Sequence, residues 1–308
     1  MSKNCSPVLA LHKKRRSDNL LANKLINRFT PLDSNLSEAL TRNVIDALAE
    51  DIGSGDLTGL LVPATQIVSA TVVVREAAVL CGAPWFDAVM AAVDSSITVE
   101  WCYAEGEIMV ADTVVCRLHG LARSLLTAER SALNFLQLFS ATATMCQTFT
   151  KIVAGTRAVI LDTRKTMPGL RLAQKYAVRV GGGNNQRLAL YDGILIKENH
   201  IAAAGGIDAA MKAALALNAN VSVQIEVENL GQLTEALNAG AKSILLDNFD
   251  LTLMRQAVEL NDRRALLEAS GGVNLESVRA IAETGVDRIS IGSLTKDIRA
   301  IDFSMRVV

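Results

Sequence analysis

From about residue 157 onward, short runs of aliphatic and β-branched residues alternate with stretches of helical periodicity, and this rhythm constrains the fold more than any other feature of the chain. The runs occupy residues 158–161, 193–196, 221–227, 243–246, 265–267 and 287–291. Near-continuous aliphatic runs predict parallel strands buried on both faces, because crossover helices cover such a sheet from either side. The last four begin near residues 221, 243, 265 and 287, so one strand–helix unit recurs about every 22 residues. That regularity favours a barrel over a doubly wound sheet. Between the runs, amphipathic helices are predicted over 208–217, 230–238, 251–260 and 275–283. Asn229, Asp250 and Asn274 stand where N-caps belong, and Gly240 and Gly285 where helices end. Six strands are legible instead of eight, so either two lie hidden earlier or the barrel is incomplete.

The first third reads differently. Alternating strands are predicted over 69–74, 97–103 and 113–118, with a hairpin turn at 104–106, which makes this part an α+β unit. Residues 121–153 form a long apolar-rich helical stretch linking the two parts.

The chain of 308 residues can bury a substantial core without disulfides or structural metal. Half its residues are apolar, a fifth are charged and the net charge is −1, so no global field steers it toward nucleic acid or anionic lipid. Basic chemistry must therefore be local. Cys5, Cys81, Cys102, Cys116 and Cys146 are odd in number, scattered and outside any CxxC pair, and are read as reduced thiols. Arg75, Glu76 and Asp87 interrupt the most apolar region, leaving no stretch long enough to span a membrane. At the N-terminus, Lys13 to Arg16 follow the apolar patch instead of preceding it, the wrong order for a secretory signal. Residues 1–30 are expected to be a flexible extension and the compartment the cytoplasm.

In a β/α barrel the residues that follow each parallel strand face one common mouth. Here they are Asp162-Thr163-Arg164-Lys165, Lys197-Glu198, Glu226, Asp247, Glu268 with Ser270-Gly271-Gly272, and Gly292-Ser293. Arg164, Lys165, Arg187 and Lys197 suit a polyanion, since arginine offers a planar fork to carboxylate or phosphate and lysine a point charge. Glu226 and Asp247 would repel that anion unless sugar hydroxyls or a divalent cation such as Mg²⁺ lay between. The glycines after the last two strands fit a phosphate held by backbone N–H groups. A sugar phosphate with Mg²⁺ satisfies both halves.

The segments EDIGSGDLT (50–58), TAERSALNFLQLFSATAT (127–144), LDTRKTMPGLRLAQKYAVRVGGGNNQR (161–187), ILIKENH (194–200), IEVEN (225–229), LLDN (245–248), EASGGV (268–273) and SIGSLTK (290–296) resemble the quinolinate phosphoribosyltransferase family. The resemblance runs from about residue 35 to the C-terminus, and the TRKT-PGLR block is its most specific part. It implies an α/β fold: an incomplete (β/α) barrel over 131–298 and a smaller N-terminal α+β sandwich over 31–130, with residues 299–308 packing against the latter. It also implies a cytoplasmic pentosyltransferase that joins quinolinate to phosphoribosyl pyrophosphate with decarboxylation, with Mg²⁺, as a homodimer. Arg130, Thr163, Arg164, Arg187 and Lys197 match the positions that grip quinolinate, Arg130 being lent to the neighbouring subunit. Lys165, Glu226, Asp247, Ser270, Gly271, Gly272, Ser290, Ile291, Gly292 and Lys296 match those around the phosphoribosyl group. Lys165, Lys197, Glu226 and Asp247 are the implied catalytic set, with Glu226 and Asp247 near the metal.

Two positions depart from many relatives, Gln186 where they have His and Lys296 where some have His. A glutamine donates a hydrogen bond but cannot carry charge or shuttle a proton. Two other readings remain: a Schiff-base aldolase using Lys165 or Lys197, disfavoured by the surrounding anion-binding groups, and a non-catalytic relative handling a metabolite or oxyanion, which only Gln186 raises.

Overall fold

The computed structural model describes residue 29 and residues 31–308, so the extension expected over residues 1–30 lies almost entirely outside the described residues. Two compact units are present, one ending at Thr144 and completed by Arg299–Val308, the other Met145–Ile298.

In the first unit, strands β1 (Ile67–Val74), β3 (Thr98–Trp101), β5 (Thr113–Leu121) and β12 (Phe303–Val307) form an antiparallel sheet of order β12-β1-β5-β3. Alternation decides which face is buried: Ala70, Val72 and Val74 of β1 are fully enclosed. Helix α1 (Ser34–Ile52) starts at Asp33, whose carboxylate accepts from Leu36 N at 2.8 Å. Helix α2 (Ala83–Val93) packs Trp85 edge-on against Phe139 of helix α3 (Ala122–Ile152), the predicted long helix.

The expected hairpin at 104–106 is only half right. Glu107 N does close a turn on Ala104 O, but the chain then enters strand β4 (Ile108–Met109), which pairs with β2 (Ala78–Val79). The cause is Glu105, 3 % exposed, whose carboxylate accepts from Gly82 N and Ala83 N at the start of α2 and draws the turn there.

The second unit holds strands β6 (Val159–Leu161), β7 (Gly193–Ile196), β8 (Ser222–Val227), β9 (Ser243–Asp247), β10 (Leu266–Ser270) and β11 (Arg288–Ser290). All pairings are parallel, in the order β6-β11-β10-β9-β8-β7. Strands β7 to β11 thus lie in chain order and β6 joins beside β11, the arrangement of a barrel that stays open between β6 and β7. Asn184 makes an isolated parallel bridge to Leu161 on the free side of β6, too short to close it.

Helices α4 (Arg171–Val180), α5 (Glu198–Ala204), α6 (Ile207–Ala216), α7 (Leu230–Asn238), α8 (Leu251–Asn261), α9 (Val278–Ala282) and α10 (Ser293–Lys296) follow the strands. Ile225, Ile244, Leu246, Ala269 and Ile289 share one hydrophobic core with Leu233, Ala236 and Ala257 of the helices, and all of them are fully buried. Asn229 and Asp250 cap α7 and α8 as expected, accepting from Gln232 N and from Thr252 N and Leu253 N. Asn274 does not cap α9: it accepts from Glu276 N and Ser277 N and closes a preceding turn, and the helix begins four residues later.

Among the described residues no helix is long and apolar enough to cross a membrane. Cys81, Cys102, Cys116 and Cys146 are free thiols.

Candidate active site

The carboxyl ends of β6, β9, β10 and β11 surround a cleft of about 320 Å³. Lys165, Asp247, Ser270, Gly271, Gly272, Ser290, Ile291, Gly292 and Lys296, all expected around the phosphoribosyl group, line it together with Thr163, expected on the quinolinate side, and Asn248, Val273 and Ser293 complete the wall. Lys165 is anchored at both backbone ends: its N donates to Thr163 Oγ1 at 3.1 Å and its O accepts from Thr295 Oγ1 at 2.8 Å. A Cβ at Gly292 would lie 3.1 Å from Lys165 Cδ, so glycine leaves that lysine room to reach across.

Asn248 had no assigned role from sequence. Its Nδ2 donates to Asp247 Oδ2 at 2.9 Å and its N to Ser270 O, so it orients the carboxylate and ties β9 to β10. Gly271 makes space for it: φ is 100°, and a Cβ there would stand 2.2 Å from Asn248 Oδ1. Gly271→Ala should therefore displace Asn248 and strain the backbone by about 1–2 kcal/mol. The expected result is a KM for the sugar-phosphate ligand raised about tenfold with the other ligand unaffected, measured by steady-state kinetics.

Beyond this cleft, Lys197 Nζ and Glu226 Oε2 form an ion pair at 2.8 Å, linking the end of β7 to β8. Lys197 is itself held by the first turn of α5, where its N donates to His200 Nδ1 at 3.0 Å. His200 thus positions a site residue, and its spacing of three from Lys197, the capping-box interval, was the available signal.

Arg187 lies on the wall of a second, mainly apolar pocket of about 390 Å³ with Ile194, Ile196 and His200, and its Nη1 donates to Gly193 O at 3.0 Å. Burial and the neighbouring Arg164 guanidinium both weaken its hold on its proton. Arg164 Nε is buried and has no hydrogen-bond partner. Two crowded guanidiniums, one with an orphaned donor, form a site that an anion would relieve. Arg130 belongs to the first unit and is exposed on α3.

Two residues expected at the mouth are not there. Asp162 and Glu268 are fully buried. Strand β10 runs to Ser270, three residues past its predicted end, which puts Glu268 mid-strand and facing inward. It accepts from Gln186 Nε2 and Gln224 Nε2, at 2.8 and 2.9 Å for the shortest contacts. Asp162 pairs with Lys175 Nζ at 2.5 Å. Glu198 is exposed and bonded by Asn199. Gln186 serves as a bridge: besides Glu268, its Oε1 accepts from Arg187 N at 2.8 Å.

Two family models match the chain, the quinolinate phosphoribosyl transferase N-terminal domain over residues 56–140 and its C-terminal domain over residues 142–306. The chain is 40% identical over 259 residues to a probable nicotinate-nucleotide pyrophosphorylase (carboxylating) of Bacillus subtilis, covering 84% of this chain and 90% of that one. It is also 40% identical over 269 residues to the nicotinate-nucleotide pyrophosphorylase (carboxylating) of Mycobacterium leprae, covering 84% and 94%. The solved nicotinate-nucleotide pyrophosphorylase of Francisella tularensis superposes with a TM-score of 0.86 at 44% identity, covering 88% of this chain and 96% of that one.

Proposed function

The chain belongs to the quinolinate phosphoribosyltransferase family, and on that premise we propose which of its residues carry the reaction. It is a pentosyltransferase of NAD synthesis: quinolinate and phosphoribosyl pyrophosphate become nicotinate mononucleotide, pyrophosphate and CO₂.

Arg164 and Arg187, with Thr163 and Lys197, hold the two carboxylates of quinolinate. The observation that carries this assignment is the buried, unpartnered Nε of Arg164 beside a second guanidinium. The cleft built from Lys165, Ser270 to Gly272, Ser290 to Gly292 and Lys296 holds the phosphoribosyl pyrophosphate, its glycines presenting backbone N–H groups and its two lysines the positive charge. Arg130, exposed on α3, serves the neighbouring subunit's site in a homodimer. The compartment proposed is the cytoplasm.

The pyridine nitrogen attacks the anomeric carbon as pyrophosphate leaves, through a transition state of oxocarbenium character. Glu226 and Asp247, on neighbouring strands, face the developing positive charge. In the free protein Glu226 is occupied by Lys197. A carboxylate of quinolinate competes for that lysine, leaving Glu226 available to the ribose. Once alkylated, the positively charged ring nitrogen stabilises the electron pair left on the adjacent carbon as its carboxylate departs as CO₂, and a proton from solvent then takes that position, so holding and orienting the substrate is the main task.

Among the described residues no group of three or more histidine, cysteine or carboxylate side chains clusters as a metal site. Glu226 and Asp247 fit a Mg²⁺ that takes most of its ligands from pyrophosphate and water. Bound there, the ion would offset charge on the leaving group.

The test is direct. The purified chain with quinolinate, phosphoribosyl pyrophosphate and Mg²⁺ should form nicotinate mononucleotide and CO₂ in equal amounts. A chain that binds the dianion phthalate yet forms neither product would overturn this reading in favour of a non-catalytic relative.

A further inference from the structure

Helix α4 contributes no residue to the cleft, yet its polar face is buried against the loops that carry the two arginine forks. Gln174 is fully buried and Lys175 is 4 % exposed. Arg171 and Lys175 stand four residues apart and so share one face of the helix. Arg171 donates from Nε to Thr166 Oγ1 at 3.0 Å, from Nη1 to Leu188 O at 3.3 Å and from Nη2 to Arg164 O at 3.4 Å. One guanidinium therefore touches the backbone of Arg164 and of the residue after Arg187.

Lys175 does the same one turn further on. Its Nζ donates to Asp162 Oδ1 at 2.5 Å and to Gln186 O at 2.9 Å. Asp162 in turn accepts from Gln186 N at 2.8 Å and from Asn185 Nδ2 at 2.6 Å. The peptide groups on both sides of Gln186 are held by one ion pair, with Asp162 two residues before Arg164 and Gln186 immediately before Arg187.

A buried ion pair is a poor device for stability alone, because desolvating two charges cancels most of their attraction and an apolar pair of similar volume usually does as well. What it supplies, and an apolar pair cannot, is direction. The hydrogen bonds converge on the two segments whose separation sets the distance between the forks. We infer that Arg171 and the Lys175–Asp162 pair are positioning residues for quinolinate, setting the spacing of Arg164 and Arg187 without touching the substrate. The inference rests on the reading of those two arginines as the carboxylate grips.

The phosphate side stands on other supports. Lys165 is fixed by Thr163 Oγ1 and Thr295 Oγ1, and neither bond involves Arg171 or Lys175. Gln174 of α4 does reach that side, its Nε2 donating to Thr295 O at 3.0 Å, so it is the change of Arg171 or of Lys175, with Gln174 intact, that should raise the KM for quinolinate and spare that for phosphoribosyl pyrophosphate.

Steady-state kinetics with each substrate varied, together with thermal unfolding, test this in Arg171→Met, Asp162→Asn/Lys175→Met and Arg187→Ala. Arg171 makes its three contacts at a half-buried surface position, so its variant should fold, with an unfolding midpoint lowered by only a few degrees. It should raise the KM for quinolinate about tenfold and that for phosphoribosyl pyrophosphate less than about twofold. The double variant removes both buried charges while keeping their shapes. A merely structural pair predicts that it regains wild-type stability and wild-type KM, whereas positioning predicts regained stability with the quinolinate KM still raised. Wild-type quinolinate KM in Arg171→Met, or in a folded double variant, overturns the inference if Arg187→Ala raises it. A normal KM in Arg187→Ala itself means that the assignment of the forks has failed. Should the double variant not fold, Arg171→Met decides alone.

Discussion

Arg187→Ala should lower kcat/KM for quinolinate about a hundredfold and leave the unfolding midpoint of the free protein nearly unchanged. The first half follows from the chemistry of a charge-assisted fork. Losing it leaves a bound carboxylate unpaired at a cost of about 3 kcal/mol, and about 1.4 kcal/mol is a factor of ten. The second half follows from the crowding of two guanidiniums. Removing Arg187 loses one bond to Gly193 O, worth about 1 kcal/mol, but also removes a like charge from beside Arg164. The two effects oppose each other. Stabilisation of the wild type by phthalate, read as a shift in midpoint, should largely disappear in the variant. Unchanged saturation by quinolinate would remove Arg187 from the site.

The second large effect is on stability, in the first unit. Asp87 on α2 accepts from Trp101 Nε1 with both oxygens, at 3.0 and 3.3 Å. Burial nevertheless pushes its carboxyl up to about 6, outweighing the indole donor. A carboxyl whose pKa is raised by folding favours the folded state below its unfolded pKa, near 3.8. That contribution is lost as pH rises from there through about 6. A shift of about two units corresponds to about 3 kcal/mol. Asp87→Asn keeps an acceptor for Trp101 and cannot ionise. It should match the wild type near pH 3.5 and exceed it by about 2–3 kcal/mol at pH 8, with the gain appearing between about pH 4 and pH 6. Trp85 and Trp101, the only tryptophans in the chain, both belong to this unit, so denaturant titration followed by tryptophan fluorescence reads the effect where it arises. A stability difference that did not vary with pH would show that Asp87 ionises as freely in the folded chain as in the unfolded one.

Much of the architecture was legible from local pattern. All six parallel strands fall where aliphatic runs predicted them, β7 with the same ends, and the linking helix runs over Ala122–Ile152 against a predicted 121–153. Asn229 and Asp250 cap helices as their residue types demand. Such features depend on neighbours a few residues away, which is why periodicity and capping report them. The errors arose where a distant group intervened. Glu105 rerouted the predicted hairpin by binding the start of α2, more than twenty residues back in the chain.

The site divides along the same line. The identity of the anion-binding and acidic residues, and their place after strands, came from sequence, because parallel strands share one carboxyl end whatever the rest of the molecule does. Tertiary structure alone decided which of those groups line the cleft and which are buried away from it. Asp162 reads as one more strand-end acid until Lys175, thirteen residues on, is brought beneath it. Glu268 reads as another until Gln186 and Gln224 close over it from 82 and 44 residues away. Whether a charge is solvated, paired or buried depends on what packs against it, and no window of sequence contains both sides of that contact.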